Sequence, residues 1–144
     1  MENTLQHDSL LLTRFYSVAP EKVWRAWTEP DALRVWFGQA DSPVWAAEMD
    51  VQTGGRYRLV LREPSGLHYS VQGTFQEVTP PCRLVFTWEQ RNSPFEGECL
   101  ICVELRASGG GTELRFTLDP IFDPRAPDAW RADFKRLGRL LQSD

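Results

Sequence analysis

Between Pro43 and Leu118 apolar residues recur at every second position, the period of strands that bury one face and wet the other. Trp45, Ala47, Met49 and Val51 alternate with Glu48 and Asp50, and Tyr57, Leu59 and Leu61 alternate with Arg56, Arg58 and Arg62. Tyr69, Val71, Gly73 and Phe75 line one face of the segment that follows. Leu84, Phe86 and Trp88 alternate with Arg83, Thr87 and Glu89, Leu100 and Cys102 share a face, and Leu114, Phe116 and Leu118 close the series. The breaks carry turn chemistry: Gly54-Gly55, Pro64-Ser65-Gly66, Thr79-Pro80-Pro81, Asn92-Ser93-Pro94 and Gly109-Gly110-Gly111. Connections this short predict a meander of antiparallel hairpins.

The pattern differs on either side of that meander. Ser9 to Val18 opens with Leu10, Leu12 and Phe15-Tyr16, a first strand. Pro20 suits the first turn of a helix whose apolar side is Val23, Trp24 and Trp27. Thr28 is expected to cap a second helix, with Pro30 and Asp31 in its first turn, Leu33, Trp36 and Phe37 on its apolar side and Gly38 as its stop. After Pro120, Asp123-Pro124 and Pro127-Asp128 read as helix starts, and Trp130, Phe134, Leu137 and Leu141 form one stripe over a helix from about Pro127 to Gln142. Gly138 costs about 1 kcal/mol against alanine in a helix interior. It either leaves room beneath the helix or is tolerated near its end. The architecture expected is α+β: a curved antiparallel sheet of about seven strands around a long C-terminal helix, with two short helices after strand one. One domain over 1–144 is expected, with 1–8 a loose tail.

Composition narrows the function. A chain of 144 residues fits one ordinary domain, and 42% hydrophobic with 25% charged residues is a globular balance. The net charge of −4 argues against a sequence-blind nucleic-acid binder, which needs a basic surface. The local basic group Lys135, Arg136 and Arg139 is read as cations complementing a helix C-terminus. The run Leu10 to Leu12 is closed off by Thr13 and Arg14, so no membrane span is expected. Met1 to Ser9 is polar and acidic, without the features of a secretory signal, which makes the cytoplasm the expected location. Cys99 and Cys102 spell C-x-x-C, but residues three apart on a strand face opposite ways, and no second pair or histidine completes a zinc set. Neither a metal nor a cofactor is expected.

Motifs distributed along the chain carry a resemblance. Val18-Ala19-Pro20-Glu21-Lys22-Val23-Trp24-Arg25-Ala26-Trp27-Thr28-Glu29-Pro30 resembles the opening of the family homologous to the C-terminal domain of the activator of Hsp90 ATPase. The similarity continues through Leu33 to Phe37, Asp50 to Tyr57, Pro80 to Trp88, Gly110 to Leu114, and Trp130 to Leu141. Each piece alone is weak, and the ordered combination is specific. That family belongs with the START and birch-pollen-allergen-like proteins of helix-grip fold. Two departures stand out. Many members have a histidine after the last strand, where this chain has Leu118 followed by Asp119-Pro120, and many have Gly-Trp opening the last helix, where this chain has Ala129-Trp130.

The resemblance implies a ligand cavity between sheet and long helix. The strand faces assigned above put Trp45, Met49, Tyr57, Leu59, Tyr69, Phe75, Phe86, Trp88 and Phe116 toward it, with Phe134 closing it from the helix and Trp36 and Phe37 at one end. The same side chains would equally serve as a filled core. A cavity so lined suits a small apolar or aromatic molecule, making the protein a carrier, a sensor or a stress-response protein. An enzyme of cyclase, dehydratase or hydrolase type would need an inward acid or base. Among Glu48, Asp50, Glu89, Glu98, Glu104, Asp119 and His68, alternation selects Glu104, which shares a face with Leu100 and Cys102. The third reading is a co-chaperone-like module that binds a chaperone partner. The eukaryotic co-chaperones carry a further N-terminal domain, whereas this sequence starts just ahead of strand one.

Overall fold

In the computed structural model, which describes residues 8–38 and 43–142, the chain runs β1 (Leu10–Tyr16), α1 (Pro20–Thr28), α2 (Pro30–Trp36), β2 (Val44–Met49), β3 (Arg56–Arg62), β4 (His68–Thr79), β5 (Arg83–Arg91), β6 (Glu98–Ser108), β7 (Gly111–Asp119) and α3 (Ala126–Gln142). The seven strands form one antiparallel sheet in the order β1-β7-β6-β5-β4-β3-β2. From β2 to β7 each strand pairs with its neighbour in sequence. The exception is β1, which lies against β7 from Leu10↔Leu118 to Tyr16↔Thr112, so α1 and α2 carry the chain from one sheet edge to the other. The expected tail over 1–8 lies outside the described residues except for Asp8, whose carbonyl accepts the Ile121 N–H at 2.7 Å.

Two glycine sites shape the sheet. Ser108 and Gly111 are joined by Gly109 (φ 55°) and Gly110 (φ 82°), the paired positive angles of a tight hairpin whose twist matches its strands. Gly73 sits where β4 bends over β5: a Cβ there would lie 2.0 Å from the Thr87 carbonyl oxygen. That carbonyl accepts the Tyr57 hydroxyl at 2.5 Å, and Thr87 Oγ1 accepts the Thr74 N–H at 2.9 Å. A β-bulge follows between Phe75 and Glu77, and it bends the strand further.

The helix stripe is buried as its spacing predicts, with Trp130, Phe134, Leu137 and Leu141 all at 4% exposure or less. Tyr16 anchors it from β1 by donating its hydroxyl to the Phe134 carbonyl at 3.2 Å. Gly138 stands over the same tyrosine, 3.4 Å from the ring to an added Cβ.

Four expectations need correction. Thr28 does not cap α2; its hydroxyl donates back to the Trp24 carbonyl at 2.8 Å, closing the end of α1, while Glu29 occupies the cap position without a side-chain bond. Trp45 faces outward, 58% exposed, because a bulge between Val44 and Ala46 inverts the alternation and turns Val44 inward instead. On β6 the inner face is Cys99, Ile101, Val103 and Leu105, so Leu100, Cys102 and Glu104 face out. Cys99 and Cys102 are free and lie on opposite faces. Arg136 does not serve the end of its own helix; its Nε donates to the Trp36 carbonyl at the end of α2, 3.0 Å away.

Candidate functional site

The centre of the grip is packed. Trp27 meets Trp36 edge-on at 4.8 Å, Phe116 lies 4.7 Å from Trp130 and 5.2 Å from Phe134, and Tyr57 stands 5.4 Å from Phe75 and 5.6 Å from Phe86. What remains among Met49, Tyr57, Leu59, Phe75, Phe86 and Trp36 is a void of about 30 Å³. That is space for about one or two water molecules. Trp27 also lines it, and its Nε1 is the one buried side-chain polar atom without a partner among the described residues.

The usable space lies to one side. A cleft of about 620 Å³ runs along the N-terminal half of α3, between that helix, β3 to β7, and the segments around 95–97 and 122–125. Phe37, Trp88 and Trp130 line both the cleft and the small void, and so form the partition between them. Their rings meet at 5.3 to 5.4 Å in tilted and edge-on arrangements, geometries that aromatic pairs favour. Leu61, Tyr69, Val71 and Leu118 extend the apolar wall, and Phe95 and Phe122 face it from the loops. Phe122 reaches its place because residue 97 is glycine: a Cβ there would stand 2.6 Å from the ring.

Two ion pairs supply polarity. Asp133, 4% exposed on α3, takes the Gly38 N–H on Oδ1 at 3.2 Å and the Arg136 guanidinium on the same oxygen. With the Arg136–Trp36 bond, this fastens the end of α2 to α3. Burial pushes the Asp133 carboxyl up to about 6, against the opposing pull of Arg136 and the Gly38 amide. It therefore exchanges its proton closer to neutrality than an ordinary aspartate. Across the cleft, Arg125 grips both oxygens of Asp123 at 2.9 to 3.0 Å and lies 5.1 Å from the Phe95 ring centre. Burial raises the Asp123 carboxyl, but the bonds from Arg125 and one from Gln90 outweigh it and hold the group below the usual aspartate value.

Of the residues the sequence aimed at a cavity, Phe37, Tyr69 and Trp88 line the cleft. Trp36, Met49, Tyr57, Leu59, Phe75 and Phe86 surround the small void, while Phe116 and Phe134 are packed against neighbouring rings. Trp45 is on the outside, 5.6 Å from His68 and under Arg62 at 5.5 Å. Glu104 is bound to Arg83 at 2.5 Å and sits 3.9 Å from Arg115 on the solvent face. Glu48, Asp50, Glu89 and Glu98 line a shallow hollow on the outer face, and Asp119 and His68 are exposed. Asp133, Asp123, Arg125 and Gln90 were not anticipated. A signal existed for Asp133: it directly precedes Phe134 on the apolar stripe, and an arginine follows three residues on.

No helix among the described residues is long and apolar enough to cross a membrane, and no group of three or more His, Cys, Asp and Glu among them is placed to hold a metal ion. The architecture is thus a helix grip, an antiparallel sheet curved about its C-terminal helix, with one open cleft beside that helix. Residues 17–142 match the model of the family described as activator of Hsp90 ATPase homolog 1-like protein, and the chain belongs to that family. Solved structures repeat the fold. A protein of Rhizobium leguminosarum matches with TM-score 0.83 at 24% identity, covering 96% of this chain and 97% of its own. A protein of Chromobacterium violaceum matches with TM-score 0.82 at 24% identity, covering 95% and 99%. The AHSA1-like protein from Aeromonas hydrophila matches with TM-score 0.76 at 22% identity, covering 93% and 92%. Comparison with curated proteins finds no match.

Proposed function

We propose that this protein binds a small, flat, largely apolar molecule in the cleft beside α3. The observation that carries the reading is the cleft itself: about 620 Å³ of space walled by Phe37, Trp88 and Trp130, against about 30 Å³ left inside the packed centre. Its size and its mixture of aromatic wall and few polar groups are those of small-molecule sites. The ligand is held at the side of the grip, not enclosed at its middle.

Trp88 and Trp130 make the test direct. Titrating the protein with a panel of aromatic compounds, flavonoids, steroids and fatty acids while following tryptophan emission should give a saturable change with some of them. Ala132 lies exposed at the cleft on α3, so Ala132→Trp should fill the space and abolish the response without unfolding the domain. Absence of any saturable response across the panel, or an undiminished response in Ala132→Trp, refutes the reading.

A further inference from the structure

Trp27 carries a polar atom that the packing of the grip leaves unused. The side chain is 4% exposed, and its indole N–H is the one buried side-chain polar group without a hydrogen-bond partner among the described residues. Its surroundings explain why. Trp27 sits among rings, with Trp36 at 4.8 Å, Phe134 at 6.1 Å, and Phe116 and a stacked Trp130 at 6.2 Å. Trp36, by contrast, donates to the Ala26 carbonyl at 2.9 Å, and Tyr57 donates to that of Thr87. A ring face is a second-order acceptor, and a buried indole N–H ordinarily finds an oxygen. Trp27 also lines the void of about 30 Å³, so the unused donor and the unfilled space belong to one side chain.

The void decides what kind of group can answer that donor. It has room for about one or two water molecules. A water is held by two to four polar partners. Here, beyond the Trp27 N–H, it would meet leucines, aromatic rings and the weakly accepting Met49 thioether, and the hydrogens of Trp36 and Tyr57 are already committed. A hydroxyl, amine or amide would bury a hydrogen of its own without an acceptor, and an anion would be stripped of water for a single donor. A carbonyl oxygen accepts and donates nothing, so it meets neither penalty. Phe37, Trp88 and Trp130 line both spaces, so the void stands one side chain's thickness from a ligand in the cleft. We propose that Trp27 is a specificity-determining residue: its indole N–H binds an uncharged acceptor without a hydrogen of its own, a carbonyl oxygen, which the aromatic ligand of the cleft passes between those rings into the void. Such a site selects aromatic ketones over the corresponding alcohols.

This inference rests on the cleft being the binding site, and matched probes separate the two ideas. Binding of 2-acetylnaphthalene, 1-(2-naphthyl)ethanol and 2-ethylnaphthalene to the intact protein would be compared by tryptophan emission and calorimetry. One recovered buried hydrogen bond, against an alcohol hydrogen left unpaired, predicts that the ketone binds about tenfold tighter than the alcohol. In Trp27→Phe, checked for folding by its thermal transition, the ketone's affinity relative to the hydrocarbon should fall about tenfold. The hydrocarbon reports whatever the lost ring volume does to both probes. In wild-type protein the indole N–H resonance that Trp27→Phe lacks should move downfield with the ketone and not with the hydrocarbon. Equal or tighter binding of the alcohol overturns the role of Trp27 and leaves the cleft standing. An unchanged ketone-to-hydrocarbon ratio in folded Trp27→Phe, or a resonance that the ketone does not move, overturns it likewise. Binding of none of the three overturns both readings. Should Trp27→Phe fail to fold, the wild-type order of ketone and alcohol decides.

Discussion

Replacing Asp133 by asparagine removes the ionisable carboxyl from the wall of the cleft while keeping a side chain of nearly the same shape. In the wild type that carboxyl is buried, and its folded-state value is raised from 3.8 to about 6. The native state therefore holds its proton more tightly than the unfolded chain does. Between those two values the native protein is protonated at this site and the unfolded chain is not, so stability falls as pH rises. The deficit grows from the unfolded value upward and is complete above about pH 6. Taken from about pH 7 to about pH 5, the group alone should add roughly 1 kcal/mol of stability. Its neighbours set that value from two sides: Arg136 on the same helix and the Gly38 amide at the end of α2 both favour the charged form, and burial against the aromatic wall overrides them.

The assay is urea unfolding of wild type and Asp133→Asn at closely spaced pH values. The wild-type curve should lie higher, relative to the variant, by roughly 1 kcal/mol at about pH 5 than at about pH 7. Taking the difference cancels the groups the two proteins share. Asp123, whose carboxyl is held low, contributes the opposite slope: its stabilisation is present above the ordinary aspartate value and is lost as pH falls through the lower folded one. A difference curve that is flat, or that rises toward neutral pH, would show that Arg136 and the Gly38 amide outweigh burial, and the reasoning would be wrong.

Two further substitutions probe the frame that holds the cleft. Gly138→Ala should raise stability by about 0.5–1 kcal/mol in urea unfolding, since helix propensity favours alanine by that much and the new Cβ meets only the Tyr16 ring at 3.4 Å; destabilisation would mean that Tyr16 cannot give way. Gly73→Ala should cost about 1–3 kcal/mol, because its Cβ drives into the Thr87 carbonyl that Tyr57 also binds; an unchanged denaturation midpoint would remove Gly73 from the role of bending the sheet.

The meander, the three helices and the side of α3 that enters the core were legible because each rests on a period sustained over several residues, and a single exception cannot hide such a period. Trp45 shows where that reasoning stops. One inserted residue at the Val44–Ala46 bulge reverses every direction before it, and nothing in the alternation of Ala47 and Met49 announces the insertion. On β6 the difficulty is of another kind. Cys99 to Val103 is apolar without a break, so the run fits either face. The better guide was charge: Glu104 and Arg106 share parity, and Glu104 pairs with Arg83 on one neighbouring strand and Arg115 on the other, a row that only the solvent face accommodates. The cleft was least legible of all. Apolar stripes report which side chains point inward, whereas a cavity is the space those side chains fail to fill. Here that space is bounded by Phe95, Gly97, Phe122 and Asp123, in segments with no period. A sequence with strong stripes on every element therefore argues first for a filled centre, and its binding site is better sought where an irregular segment borders the stripe and a charged pair interrupts it.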